Sequence, residues 1–183
     1  MEKGTEELKA GNYEVAIDSF NTFIQETEDL ELKDPEDEVK KQNNISQADR
    51  GIAIALFEQE KYEEAAEAFE RAYSTAVETG STDTPVLCRF LAVCYMEAED
   101  YESALTYLNA VSEKDYKNME PAQEGEEVSF DKVFYEIGKL KIECYEKLAD
   151  WESALKQTEA LLLQYPDDAE LLKEAEFLRT RQP

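Results

Sequence analysis

The sequence predicts an all-α fold, an array of antiparallel helical hairpins, and three observations predict it. The first is a spacing. Tyr62, Ala65 and Phe69 stand three and four positions apart, which puts an aromatic, a small residue and a bulky residue on one helical face. The small Ala lets a neighbouring helix approach closely, and the larger residues fill the space on either side of it. The second is recurrence. The same pattern returns as Tyr13, Ala16, Phe20, then Tyr101, Ala104, Leu108, then Trp151, Ala154, Thr158. The third is composition: 183 residues with 42% hydrophobic and 10% aromatic content suffice for one continuous core or a short solenoid.

Taken in order, the elements form a single domain over 1–183. Its hairpins are expected at about 1–27, 35–78, 85–112 and 128–165, with a capping helix at about 169–180. The first helix ends near Ala10, and Gly11-Asn12 makes the turn. It is shorter than its counterparts by about one turn, which reads as a natural protein starting further upstream. Its partner carries Ala16, Ile17, Phe20, Phe23 and Ile24 as an apolar stripe.

Asp34-Pro35 reads as an N-cap followed by Pro at the first helical position. The helix it opens is expected to reach Glu60, with Asn43-Asn44 as its weak point, because paired Asn favour local side-chain bonds over the helix. Ile52, Ala53, Leu56 and Phe57 supply its buried face. The partner helix covers Tyr62 to about Glu78, and Gly80–Asp83 connects it onward. The third hairpin opens at Thr84-Pro85, shows Leu87, Leu91, Ala92 and Tyr95 in helical period, and continues past the cap Asp100.

Lys114–Gly125, with Pro121 and few apolar residues, is the longest expected loop. The fourth hairpin ends at Pro166, and Asp168 caps the last helix. That helix is expected to turn Glu170, Lys173 and Glu174 outward, as a terminal cap requires.

These residues make the chain resemble a tetratricopeptide repeat protein over nearly its whole length, and a bacterial source is expected. The resemblance rests on Gly4, Gly11, Tyr13, Ala16 and Phe20 in the first repeat, and on Ala53, Leu56, Tyr62, Ala65, Phe69 and Ala72 in the second. Leu91, Ala92, Tyr95, Tyr101, Ala104 and Leu108 carry it in the third, and Tyr145, Trp151, Ala154 and Pro166 in the fourth. Three residues depart from the family pattern: Lys141 where Leu is usual, Ile142 where a small residue is usual, and Thr158 where an aromatic is usual. The family unit is about 34 residues. The turn aromatics here stand further apart, and the excess falls between hairpins. The resemblance implies a right-handed superhelix whose first helices line a concave groove for an extended peptide or a partner helix. It thus implies a protein–protein interaction scaffold without catalysis.

Composition narrows the function from the other side. With 44 acidic and 19 basic residues the net charge is −25, which repels nucleic acid and anionic membranes. Neither is expected as a partner; a protein or peptide is. The longest apolar run, Phe90–Met96, is too short to span a bilayer, so no membrane insertion is expected. The chain has no His, the commonest general base, and no phosphate-binding Gly loop, nucleophile elbow or metal cluster. No enzyme activity, cofactor or metal is therefore expected.

Cys94 and Cys144 occupy equivalent places with no basic neighbour in sequence, and read as inert buried thiols. The Asn44-Ile45-Ser46 sequon is too short to weigh without a secretory context. The compartment stays open: cytoplasmic if Met1 is the natural start, extracytoplasmic or lipid-anchored if a segment precedes it. Two other roles are compatible with the composition. One is an acidic decoy or chaperone holding basic proteins by charge, and the other is a regulatory fragment of a larger protein.

One alignment points to a site. Arg50, Arg89 and Lys139 each lie fifteen residues before the Ala of their repeat. By resemblance to the family this place faces the groove. Ile54, Val93 and Glu143 follow one helical turn on, then Phe57 and Met96. The expected groove is apolar in the middle with a basic rail beside it, suited to a peptide bearing carboxylates or a free C-terminus. The competing expectation is that the three cations pair with neighbouring acids, Glu143 neutralising Lys139 at i+4.

Overall fold

The computed structural model describes residues 1–32, 34–112 and 130–182, apart from the side chains of 130 and 131. The expected loop Lys114–Gly125 lies outside the described residues. Nine helices are present among those described: α1 (Glu2–Lys9), α2 (Tyr13–Glu28), α3 (Pro35–Phe57), α4 (Tyr62–Thr79), α5 (Thr84–Glu97), α6 (Tyr101–Ala110), α7 (Phe130–Lys147), α8 (Trp151–Leu162) and α9 (Ala169–Arg179). No strand accompanies them there. Every extensive contact joins helices one or two places apart in this order, the pattern of a solenoid in which each unit touches only its neighbours.

Capping residues start several helices. The Asp34 side chain accepts from the Glu36 N–H, Asp100 from Ser103, Asp150 from Ser153, and Asp168 from both Glu170 and Leu171. The hairpin turns share one geometry. Gly11, Glu60, Glu99 and Ala149 sit in the left-handed region at φ 77°, 59°, 58° and 56°. Each is two residues before its turn aromatic. The next residue then donates its N–H five residues back: Asn12 to Glu7 at 2.9 Å, Lys61 to Leu56 at 3.0 Å, Asp100 to Tyr95 at 2.8 Å, and Asp150 to Tyr145 at 2.8 Å. This six-to-one bond closes a helix end whose carbonyls would otherwise lack partners. It also ends α3 at Phe57, short of Glu60.

Asn43-Asn44 does not weaken α3, which runs through it unbroken. Packing decides the matter. Ser46 donates to the Ala72 carbonyl of α4 at 3.0 Å, and Ala48, Gly51, Ile52 and Ala53 are buried just beyond.

The four alignment alanines, Ala16, Ala65, Ala104 and Ala154, are fully buried. The core falls into three clusters along the array. Phe20, Phe69 and Leu91 belong to the first, Leu108, Ile137 and Cys144 to the second, and Ile142, Leu161 and Leu178 to the third. Phe69 stacks on Phe90 at 5.1 Å, and truncating it to Ala costs about 3–5 kcal/mol by the usual price of an emptied aromatic site. Thr158 replaces an aromatic without leaving a polar group unmet, since its hydroxyl donates to the Ala154 carbonyl at 2.9 Å. Glu70 ties three helices together by accepting from Tyr95 at 2.6 Å and Tyr107 at 2.7 Å.

Two glycines grip Phe20. A Cβ on Gly4 would lie 2.7 Å from its Cε1, and one on Gly51 would lie 2.5 Å from its Cζ. The ring therefore fills the gap between α1 and α3, and neither position has room for a methyl group.

The outer face of α9 meets the sequence expectation at Glu170 and Lys173, which are exposed, and departs from it elsewhere. Leu172 and Phe177 are exposed there, while Glu174 is half-buried and turned toward α7. The helix period explains this: Leu171, Ala175 and Leu178 take the core side, and Glu174 lies beside them. Among the described residues no helix is long and apolar enough to cross a membrane.

Candidate functional site

A groove of ≈ 860 Å³ opens between α5, α7 and α9. These are first helices of successive hairpins, plus the terminal one. Val93, Leu140, Ile142 and Leu171 supply its apolar lining, and charged residues from all three helices rim it. A smaller recess of ≈ 330 Å³ continues from it past Val93, Glu143 and Met96.

The structure brings together only part of the site expected from sequence. Arg89, Val93, Lys139 and Glu143 line the groove, and Met96 lines the recess. Arg50, Ile54 and Phe57 line neither. Phe57 instead packs edge-on against Tyr62 at 5.4 Å and Phe90 at 6.0 Å, and Ile54 is half-buried against the first core cluster.

The three aligned cations are all engaged. Arg50 pairs with Asp83 at 3.3 Å, Arg89 with Glu136 at 2.6 Å, and Lys139 with Glu170 at 2.8 Å. Each acid belongs to the next first helix along the array or to its N-cap. The pairing of Lys139 with Glu143 is thus corrected. The start of α9 brings Glu170 across the groove, and that hydrogen bond holds the Lys139 ammonium above its ordinary pKa. Beside it the Tyr135 hydroxyl donates to Asp168 at 2.8 Å. The Asp168 carboxyl is held below its ordinary range, first by the Leu171 N–H and then by Tyr135.

Further along the groove two carboxyl groups face each other, Glu146 of α7 and Glu174 of α9. Burial, followed by the hydrogen bond and the charge of Glu174, pushes the Glu146 carboxyl up to about 7; Glu143 adds to the shift and Lys147 opposes it. Two buried side-chain atoms here lack a protein hydrogen-bond partner, Arg89 Nε on α5 and Glu174 Oε1 on α9. Sequence reasoning missed Glu136, Glu146 and Glu174 as groove residues. Glu146 was within reach of it, since Lys139, Glu143 and Glu146 continue one helical face at i, i+4 and i+7. Glu174 was not, because its place depends on how α9 docks.

Cys88, Cys94 and Cys144 are buried thiols. Burial pushes the Cys94 and Cys144 thiols up to about 12, which removes the thiolate that chemistry would need. Among the described residues no cluster of potential ligands is placed to hold a metal ion.

Three family models, each a tetratricopeptide repeat, match residues 1–81, 56–124 and 142–168. A comparison with curated proteins returns no match.

Proposed function

The chain belongs to the tetratricopeptide repeat family, whose members act generally as protein–protein interaction scaffolds, and on that premise we propose that the groove between α5, α7 and α9 is where it docks an extended peptide or partner helix. One observation carries the proposal: α5, α7 and α9 together leave an open groove with an apolar lining and a polar rim, of the size that ligand sites generally have, about 300–1,000 Å³. Arg89, Val93, Met96, Lys139 and Glu143 are its proposed contacts. Arg50, Ile54 and Phe57 line neither this groove nor the recess beside it and are not among the proposed contacts.

The acidic-decoy reading rests on the charge of −25 alone. Salt separates the two, because free surface charges are screened within a few ångströms at high ionic strength. A displayed random-peptide library is selected on the protein at several hundred millimolar salt. The groove reading expects enriched peptides whose binding is lost in Val93→Arg and in the exposed-site variant Glu143→Arg, with melting temperatures recorded alongside. Peptides that ignore both variants, or no enrichment at all, refute it.

A further inference from the structure

We propose that α9 is an interface between two copies of this chain, an antiparallel pair of terminal helices related by a two-fold axis between Glu174 and Ala175. The inference goes beyond the groove reading and does not depend on it.

Three features support it. First, α9 has an uncovered side. Its extensive contact is with α8 alone, and Leu171, Ala175 and Leu178 face the core. Leu172 and Phe177 are left 50% and 41% exposed, on a helix of three turns.

Second, the uncovered side is complementary to itself. Leu172-Lys173 stand before the axis and Glu176-Phe177 after it. An antiparallel copy therefore sets Lys173 level with the partner's Glu176, and Leu172 level with the partner's Phe177. The two-fold axis repeats each relation, as an isologous contact requires. The two central charges are also free to pair. Glu170 and Arg179 are held by Lys139 and Glu159, whereas Lys173 and Glu176 form no ion pair among the described residues.

Third, α9 is where charge permits a second copy to approach. A net charge of −25 opposes self-association over most of the surface. Helix α2 carries four acids and no base, and α4 carries five acids and one base. Residues 169–182 balance three acids, Glu170, Glu174 and Glu176, with three bases, Lys173, Arg179 and Arg181. Lys173 also stands on the groove's rim, so the partner's α9 comes to lie beside the groove.

The test is sedimentation equilibrium on the whole chain at physiological ionic strength, up to about 1 mM, because a contact of three helical turns is small and its dimer weak. The expected result is a monomer–dimer equilibrium whose mass levels off at two chains. Phe177→Glu raises the dissociation constant about tenfold or more, as for a buried aromatic anchor. Lys173→Glu and Glu176→Lys each raise it several-fold, since each sets like charges together on both sides of the axis. An equimolar mixture of these two variants regains the dimer, because acid then faces base at both contacts. An effect confined to each variant's own helix is not repaired by mixing. Melting temperatures in dilute solution match wild type, since all three positions are exposed. A chain that stays monomeric overturns the proposal, and so does a mass that grows past two chains, the mark of head-to-tail stacking. A dimer indifferent to Phe177→Glu, or a mixture no better than its components, overturns it as well.

Discussion

Lys141 occupies in α7 the place that Leu91 occupies in α5, each thirteen residues before the Ala of its repeat. Leu91 is fully buried, while Lys141 is half-buried with no acid paired to it among the described residues. Burial alone lowers its pKa. A depressed lysine favours the folded state at high pH, and that contribution is lost as pH falls through the folded-state value. At neutral pH the position therefore works against folding. Lys141→Leu is expected to stabilise the chain by about 1–3 kcal/mol, the worth of burying a leucine. Its stability relative to wild type should narrow as pH rises. Urea melts at neutral and alkaline pH check both points.

The shared left-handed turn residue makes a graded prediction. Gly adopts that conformation freely, whereas other residues are strained by about 1–2 kcal/mol. Ala149→Gly should stabilise by about 0.5–1 kcal/mol once the entropy of the freer unfolded chain is subtracted. Gly11→Ala should destabilise by a similar amount. Thermal melts of the two variants should shift in opposite directions.

The clamp on Phe20 predicts that Gly51→Ala is costly, about 1–3 kcal/mol, because the new methyl meets the ring. Adding Phe20→Leu should recover part of the loss. A double-mutant cycle that gives simple additivity would rule out the contact as the cause.

The Glu146–Glu174 pair predicts an acid-side stability profile. The Glu146 carboxyl is raised from its ordinary 4.5 to about 7. Its contribution is fully present below the ordinary value and is lost as pH rises through 7. The melting temperature of wild type should decline over this interval relative to Glu146→Gln, whose amide can donate to Glu174 at every pH.

The cysteines predict silence. Cys88, Cys94 and Cys144 are buried, and native protein should react slowly with an aromatic disulfide reagent. All three thiols should titrate promptly in denaturant. Fast labelling of native protein at neutral pH would contradict the burial.

The fold was legible from sequence because it is local. The spacing of Tyr62, Ala65 and Phe69 is set by the helix period, and its recurrence marks each hairpin without knowledge of distant contacts. Asp34-Pro35 and Asp168 announced their helices through capping chemistry that sequence alone contains. What failed depended on tertiary placement. Asn43-Asn44 reads as a break until α4 packs beside it. Glu174 reads as outward until α9 is docked. Asp49, buried and paired with Arg71 at 2.9 Å, carries no sequence mark, for the equivalent positions hold Cys88 and Gly138. The site was half legible for the same reason: helical spacing found Arg89, Val93 and Lys139, but which acids they meet is decided between hairpins.

The ion pairs Arg50–Asp83, Arg89–Glu136 and Lys139–Glu170 recur along one flank of the array, each bridging to the next unit. Among the second helices Lys61, at the N-cap of α4, reaches Glu14 of α2 at 3.2 Å, so ion pairs join neighbouring units on that layer too. These joints lie at the surface, where salt screens them, whereas Phe69, Leu108 and Leu161 are sealed in the apolar core between the layers.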